Sequence, residues 1–145
     1  MKRPLALLIG TVLWAMVATS VHAATDKEVA ARKSALDVAG AFSNDGFKLR
    51  DGHWFGTVEP GKPKFVQVSL YAGNEYWFSI GVTAEAKKVA ISVYDETGKP
   101  LAYDPWNEGS TAAAGFSPDA SGPYYLKVEA LEGVPATFCL LYSYK

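Results

Sequence analysis

Few side chains in this sequence carry reactive chemistry. Histidine occurs twice, at His22 and His53, and cysteine once, at Cys139. A nucleophile–histidine–acid relay would have to use His53. Asp51 is two residues away and shares a face with it if the segment is extended. No G-x-S-x-G elbow accompanies the pair. The competing reading of His53 is a polar residue at a strand end beside Trp54. A zinc site takes three or four His, Cys or carboxylate ligands, and one histidine with one distant cysteine falls short. No phosphate-cradling or dinucleotide-binding glycine motif is present.

Calcium asks only for oxygen ligands. Asp95 and Glu96 sit in one turn, and Asp104, Asn107 and Glu108 in the long loop that follows. Asp95 and Asp104 are the candidate calcium ligands, although no EF-hand spacing occurs. The competing reading makes them solvated turn acids, because Asp and Asn bond their own backbone in turns. The aromatic residues give the clearest binding signal. Tyr103, Trp106 and Asn107 lie together in a Pro-containing loop and form the candidate ligand-binding set. Trp and Tyr are common interface anchors. Trp77 alternates with Tyr76 and Phe78 and so falls on the opposite face. We expect it beneath an N-terminal helix, leaving Trp106 as the surface anchor.

These side chains sit in a chain of 145 residues, 49% hydrophobic and 20% charged, with a net charge of −1. That is a globular composition and the length of one domain. Without a basic excess, nucleic acid is not an expected partner.

The N-terminus reads as an address. Met1-Lys2-Arg3 is followed by an uncharged run from Leu5 to Val17, and Val21-His22-Ala23 places small residues at −3 and −1 of a cut after Ala23. This is the layout of a signal peptide over residues 1–23. The run is shorter than the roughly 20 residues of a membrane span. The expected product is periplasmic or secreted, with no membrane span left after cleavage. Its single thiol, Cys139, has no partner in the chain and is expected to be a buried strand residue.

Residues 24–45 read as a helical segment. Thr25-Asp26-Lys27-Glu28 fits a capping box. Val29, Leu36, Ala39 and Phe42 recur at near-helical spacing, and Asn44-Asp45-Gly46 is a plausible stop. From Phe47 the period changes to two. Residues 46–145 hold about eight short alternating segments, with turn signals roughly every ten residues. Among them Leu101–Tyr103 is expected as a short strand and Asp104–Gly109 as a loop. The expected fold is all-β: an antiparallel β-sandwich of jelly-roll type preceded by one amphipathic helix.

Three stretches share the pattern of a known family. They are Val66–Phe78, with an Ala72-Gly73 turn before an aromatic strand; Val89–Ala102, with its Tyr94-Asp95 turn; and Ser121-Gly122-Pro123-Tyr124-Tyr125-Leu126-Lys127-Val128. In order and spacing the chain resembles the bacterial pre-peptidase C-terminal domain family over about residues 64–145. The resemblance implies a jelly-roll sandwich acting as a non-catalytic accessory or substrate-binding module of secreted proteases. Some members bind calcium. On that resemblance the chain is expected to be such a module standing without a protease domain, and no ligand set transfers residue by residue.

Three functions follow as expectations. The first is an exported, non-catalytic module that binds a protein or polysaccharide through loop aromatics. The second is a small secreted hydrolase using His53. The third is an envelope protein that oligomerises through sheet edges or the helix.

Overall fold

The structure, a computed structural model, describes residues 23–145. The signal peptide expected over residues 1–23 therefore lies outside the described residues, except for Ala23.

The chain begins with helix α1 (Asp26–Ser43). Its start is the expected capping box: the Glu28 amide donates to Thr25 Oγ1 at 3.2 Å, and the Thr25 amide donates to the Glu28 carboxylate at 2.8 Å. Two of the amides left open by the first turn are thereby satisfied. The helix ends at Asn44, and Gly46 takes a φ of +88° that turns the chain back. The buried stripe keeps most of the expected one, with Ala39 buried and Leu36 and Phe42 packed at its margins, but it is rolled away from Val29. Ala31, Ala35, Val38 and Ala39 are buried, while Val29 is 57% exposed. Alanines face the sheet because the helix sits too close for longer side chains.

Nine strands follow: β1 (Lys48–Leu49), β2 (Trp54–Val58), β3 (Lys64–Leu70), β4 (Tyr76–Val82), β5 (Ala86–Asp95), β6 (Asp104–Glu108), β7 (Thr111–Phe116), β8 (Gly122–Gly133) and β9 (Ala136–Tyr144). They form two antiparallel sheets. One runs β1-β9-β4-β7-β6, with β2 also pairing β9; the other runs β3-β8-β5. The sheets pack face to face like a sandwich. Phe78, Ile80, Leu140 and Ala114 from one meet Leu70, Val93, Leu126 and Val128 from the other in one buried cluster.

The expected strand at Leu101–Tyr103 is not formed, and the expected loop after it is the strand β6. The Leu101 amide instead donates to the Val93 carbonyl, tying this segment to the rim of β5. Pro105 has no amide to donate, which argues against a strand in the middle of a sheet. At a sheet edge that loss is tolerated, and β6 is an edge.

α1 forms a third layer on the outer face of the six-stranded sheet, above β4 and β9. Ala31 and Ala35 pack on Cys139 and Leu141, with Leu36 and Phe55 alongside. Both faces of β9 are therefore covered, and its residues are buried almost without alternation. Cys139 is fully buried there, as a structural strand residue, and desolvation pushes its thiol pKa up to about 12. No helix among the described residues is long and apolar enough to cross a membrane.

Candidate binding groove

α1 covers only part of the sheet it lies on. Beyond it, toward β7 and the edge strand β6, a groove of about 460 Å³ remains open. That lies within the range of small-ligand and side-chain pockets, roughly 300–1,000 Å³. Its helical wall is Ser34, Asp37, Val38, Ala41 and Phe42. These positions recur at intervals of three and four and so form one flank of the helix. Trp77 and Thr111 form the floor, and Trp106 stands on the far side.

Each indole is placed by a local cause. Trp77 projects from the outer face of β4 and stacks on Phe42, with centroids 4.2 Å apart and planes 9° from parallel. Such a stack adds roughly 0.5–1.5 kcal/mol beyond the area it buries. A Cβ at Gly115 would stand 2.8 Å from Trp77 Cζ2, so the bare glycine on β7 is what lets the indole lie flat on the sheet. Trp106 pairs in register with Ala113 of β7, which places it on the same outer face; it is 41% exposed. Asp104 and Glu108, two residues to either side, share that face. On the helical wall Asp37 accepts from Lys33 Nζ at 2.9 Å. Both side chains are largely exposed, and such pairs contribute little.

The candidate set Tyr103, Trp106 and Asn107 is not brought together. Trp106 lines the groove. Tyr103 packs against the sandwich core, and Asn107 pairs with the inward-facing Ala112, so its side chain leaves the opposite face of β6. The period of two separates neighbours that a loop would have gathered.

Asp95 and Asp104 are likewise apart in role. Asp95 Oδ1 accepts from the Thr97 amide at 2.9 Å, the Thr97 hydroxyl at 2.7 Å and the Lys99 amide at 3.0 Å. The Thr97 hydroxyl, then the Lys99 amide, hold this carboxyl below its ordinary pKa. The carboxylate thus organises its own turn, while Asp104 stands exposed on the outer face of β6. Among the described residues, no three or more His, Cys, Asp or Glu side chains are grouped so as to hold a metal ion.

His53 is exposed and packs its ring against Phe55, with centroids 4.5 Å apart. It lines a shallow groove on the other flank of α1 with Ala24, Val29, Arg32, Lys33, Leu36 and Phe55. None of these neighbours carries a hydroxyl, thiol or carboxylate. Trp54 stacks on Tyr142 at 5.9 Å, and the Arg50 guanidinium lies over Tyr142 at 5.0 Å.

Sequence reasoning missed Ser34, Asp37, Val38, Ala41 and Thr111 as groove residues. The helical spacing of the first four was visible, but which flank would stay uncovered was not. Compared with known proteins, the chain matches no protein-family model and no curated protein.

Proposed function

We propose that this protein is an exported, non-catalytic binding module that takes apolar side chains of a partner protein into the groove between α1 and β6. The observation that carries this reading is the pairing of Trp106 with Trp77 across that groove. An exposed tryptophan at the lip of an apolar recess, here Trp106 above the Trp77 floor, is a usual anchor of protein recognition. Among the described residues that line it, Ser34, Asp37 and Thr111 are polar, beside the two indole N–H groups. A polysaccharide presents many hydroxyls that each need a partner when buried, so a protein ligand suits these walls better.

The resemblance to the pre-peptidase C-terminal domain family supports an accessory role. The strand order also fits the jelly-roll reading. β2-β9-β4-β7 facing β3-β8-β5 is the order such a roll would give, and β6 departs from it by pairing with β7. The signal-peptide layout in the sequence of residues 1–23 supports export to the periplasm or medium.

The test follows tryptophan emission during titration with two libraries, extended peptides and oligosaccharides, for the wild type and Trp106→Ala. The reading expects saturable peptide binding that Trp106→Ala weakens about tenfold or more, the loss typical of an anchor residue. Equal binding by both proteins would reject the groove. Saturation by oligosaccharides alone would replace the protein partner with a polymer.

A further inference from the structure

The two sheets have four rims, and the sequence blunts three of them. β6 is five residues long, contains Pro105 and carries Asp104 and Glu108. β5 is closed at its end by the segment after it, through the Asp95 amide to the Lys99 carbonyl and the Leu101 amide to the Val93 carbonyl. Its other end carries Lys87, Lys88 and two register shifts. On the β9 rim, β1 has two residues and β2 five, with an irregular stretch between them. Proline, charge, bulges and short length are the devices by which edge strands avoid pairing.

β3 has such devices only at its start, where Pro63 precedes it and Lys64 opens it. It runs seven residues, Lys64 to Leu70, in unbroken register with β8. It contains no proline, and its only charge is Lys64 at one end. Among the described residues, no hydrogen bond reaches its other side from main chain or side chain. Its outward side chains, Phe65, Gln67 and Ser69, are uncharged and exposed, and Phe65 is 58% exposed. Phe65 packs edge-on against Tyr94 of β5, 6.0 Å between centroids, and Tyr125 lies in the same patch.

We propose that β3 pairs antiparallel with β3 of a second copy of this chain, about a two-fold axis at Gln67. The row of open amides and carbonyls calls for a strand, and β3 meets its own copy without opposing like charges, since its one charge lies at one end. Centring on Gln67 engages all seven residues. Phe65 then faces Ser69 of the partner subunit, and Val66 faces Val68 of the partner subunit. Gln67 meets Gln67 of the partner subunit, amide to amide. Lys64 faces Leu70 of the partner subunit, so the two lysines sit at opposite ends and no like charges oppose. The two three-stranded sheets become one of six, and the aromatic patch continues across the axis. The groove at β6 lies on the far rim of the other sheet, so the dimer is independent of it.

The test is sedimentation of the purified protein, in the form the producing cell delivers, from micromolar to near-millimolar concentration. Three proteins are compared: wild type, Gln67→Lys and Gln67→Glu. Position 67 is exposed, and circular dichroism confirms that each variant is folded. The wild type should rise with concentration from one copy toward two. Each variant alone should stay at one copy, because like charges then meet at the axis. An equimolar mixture of the two variants should regain the doubled mass. A wild type that remains monomeric throughout overturns the proposal. So does a dimer indifferent to both substitutions, or one that both weaken without recovery on mixing. Monomers that pair only with an added foreign peptide would assign the edge to another protein.

Discussion

Gly81 on the outer face of β4 lies directly against the α1 backbone at Ala35. A Cβ at Gly81 would stand within 2.5 Å of the Ala31 carbonyl oxygen and 2.6 Å of Ser34 Cβ. This contact seats the whole N-terminal helix, because main-chain atoms cannot swing aside as a flexible side chain can. Ala31 and Ala35 are fully buried on the helical side of the same contact. The groove exists only while α1 is seated, since five of its lining residues belong to the helix.

Gly81→Ala should therefore lift or tilt α1 rather than merely crowd the core. Overpacking of this kind costs about 1–3 kcal/mol. Thermal melts should show a lower transition, and amide exchange should show faster opening of α1 than of β4 and β9. Gly81→Val should act in the same sense and more strongly. An unchanged melt with unchanged exchange in α1 would contradict the close seating.

Cys139 offers a direct reporter of that seating. Its thiol is buried beneath Ala31 and Ala35, with its pKa pushed up to about 12 by desolvation. The thiolate is the reactive form, so the native protein should resist disulfide-exchange reagents at neutral pH. Labelling should proceed at the rate at which α1 opens, and Gly81→Ala should accelerate it. Rapid stoichiometric labelling of the native wild type would show that the helix does not shield β9.

Ser79 sits between Trp77 and Gly81 on the same face, and among the described residues its buried hydroxyl has no hydrogen-bond partner. A buried polar group without a partner costs about 1–3 kcal/mol of desolvation. Ser79→Ala removes the oxygen and leaves the packing nearly unchanged. Denaturant unfolding should show a gain in stability of roughly 1 kcal/mol. A loss would mean that the hydroxyl does bond, for example to an ordered water.

Acid should loosen the turn that ties α1 to the sheet. The Thr83 hydroxyl, the local backbone amide and Lys27 together hold the Glu85 carboxyl down to about 2 from an ordinary 4.5. The Lys27–Glu85 bridge spans 3.1 Å between the first turn of α1 and the β4–β5 connection. Because the folded-state pKa is depressed, its contribution is complete above about pH 4.5 and fades as pH falls toward 2. Glu85→Gln should flatten the stability–pH curve in that window and leave its shape above pH 5 unchanged. An identical acid limb in the variant would remove Glu85 from the account.

Much of this molecule is written locally. The capping box at Thr25 and Glu28, the stop at Asn44 to Gly46 and most of the strands are set by neighbours three or four residues apart, or by alternation. The sequence therefore determined the helix bounds and an antiparallel two-layer fold. It also indicated that Trp77 belongs under the helix. It misread Asp104–Glu108 because Pro105 argues against a strand until the strand is known to be an edge. It gathered Tyr103, Trp106 and Asn107 into one site because a loop would gather them and a strand divides them. The apolar spacing of Leu36, Ala39 and Phe42 marked the packed side of α1, but how far the helix is rolled, with Ala31 and Ala35 down and Val29 out, follows the close backbone contact at Gly81, far along the chain. The groove is likewise a tertiary product: a helix lies across β9 and β4, leaves β7 and β6 uncovered, and sets two tryptophans on either side of the step. Periodicity fixes which side chains share a face. Only the packing of distant elements fixes which faces are covered, because covering depends on the fit between surfaces that are not neighbours in sequence.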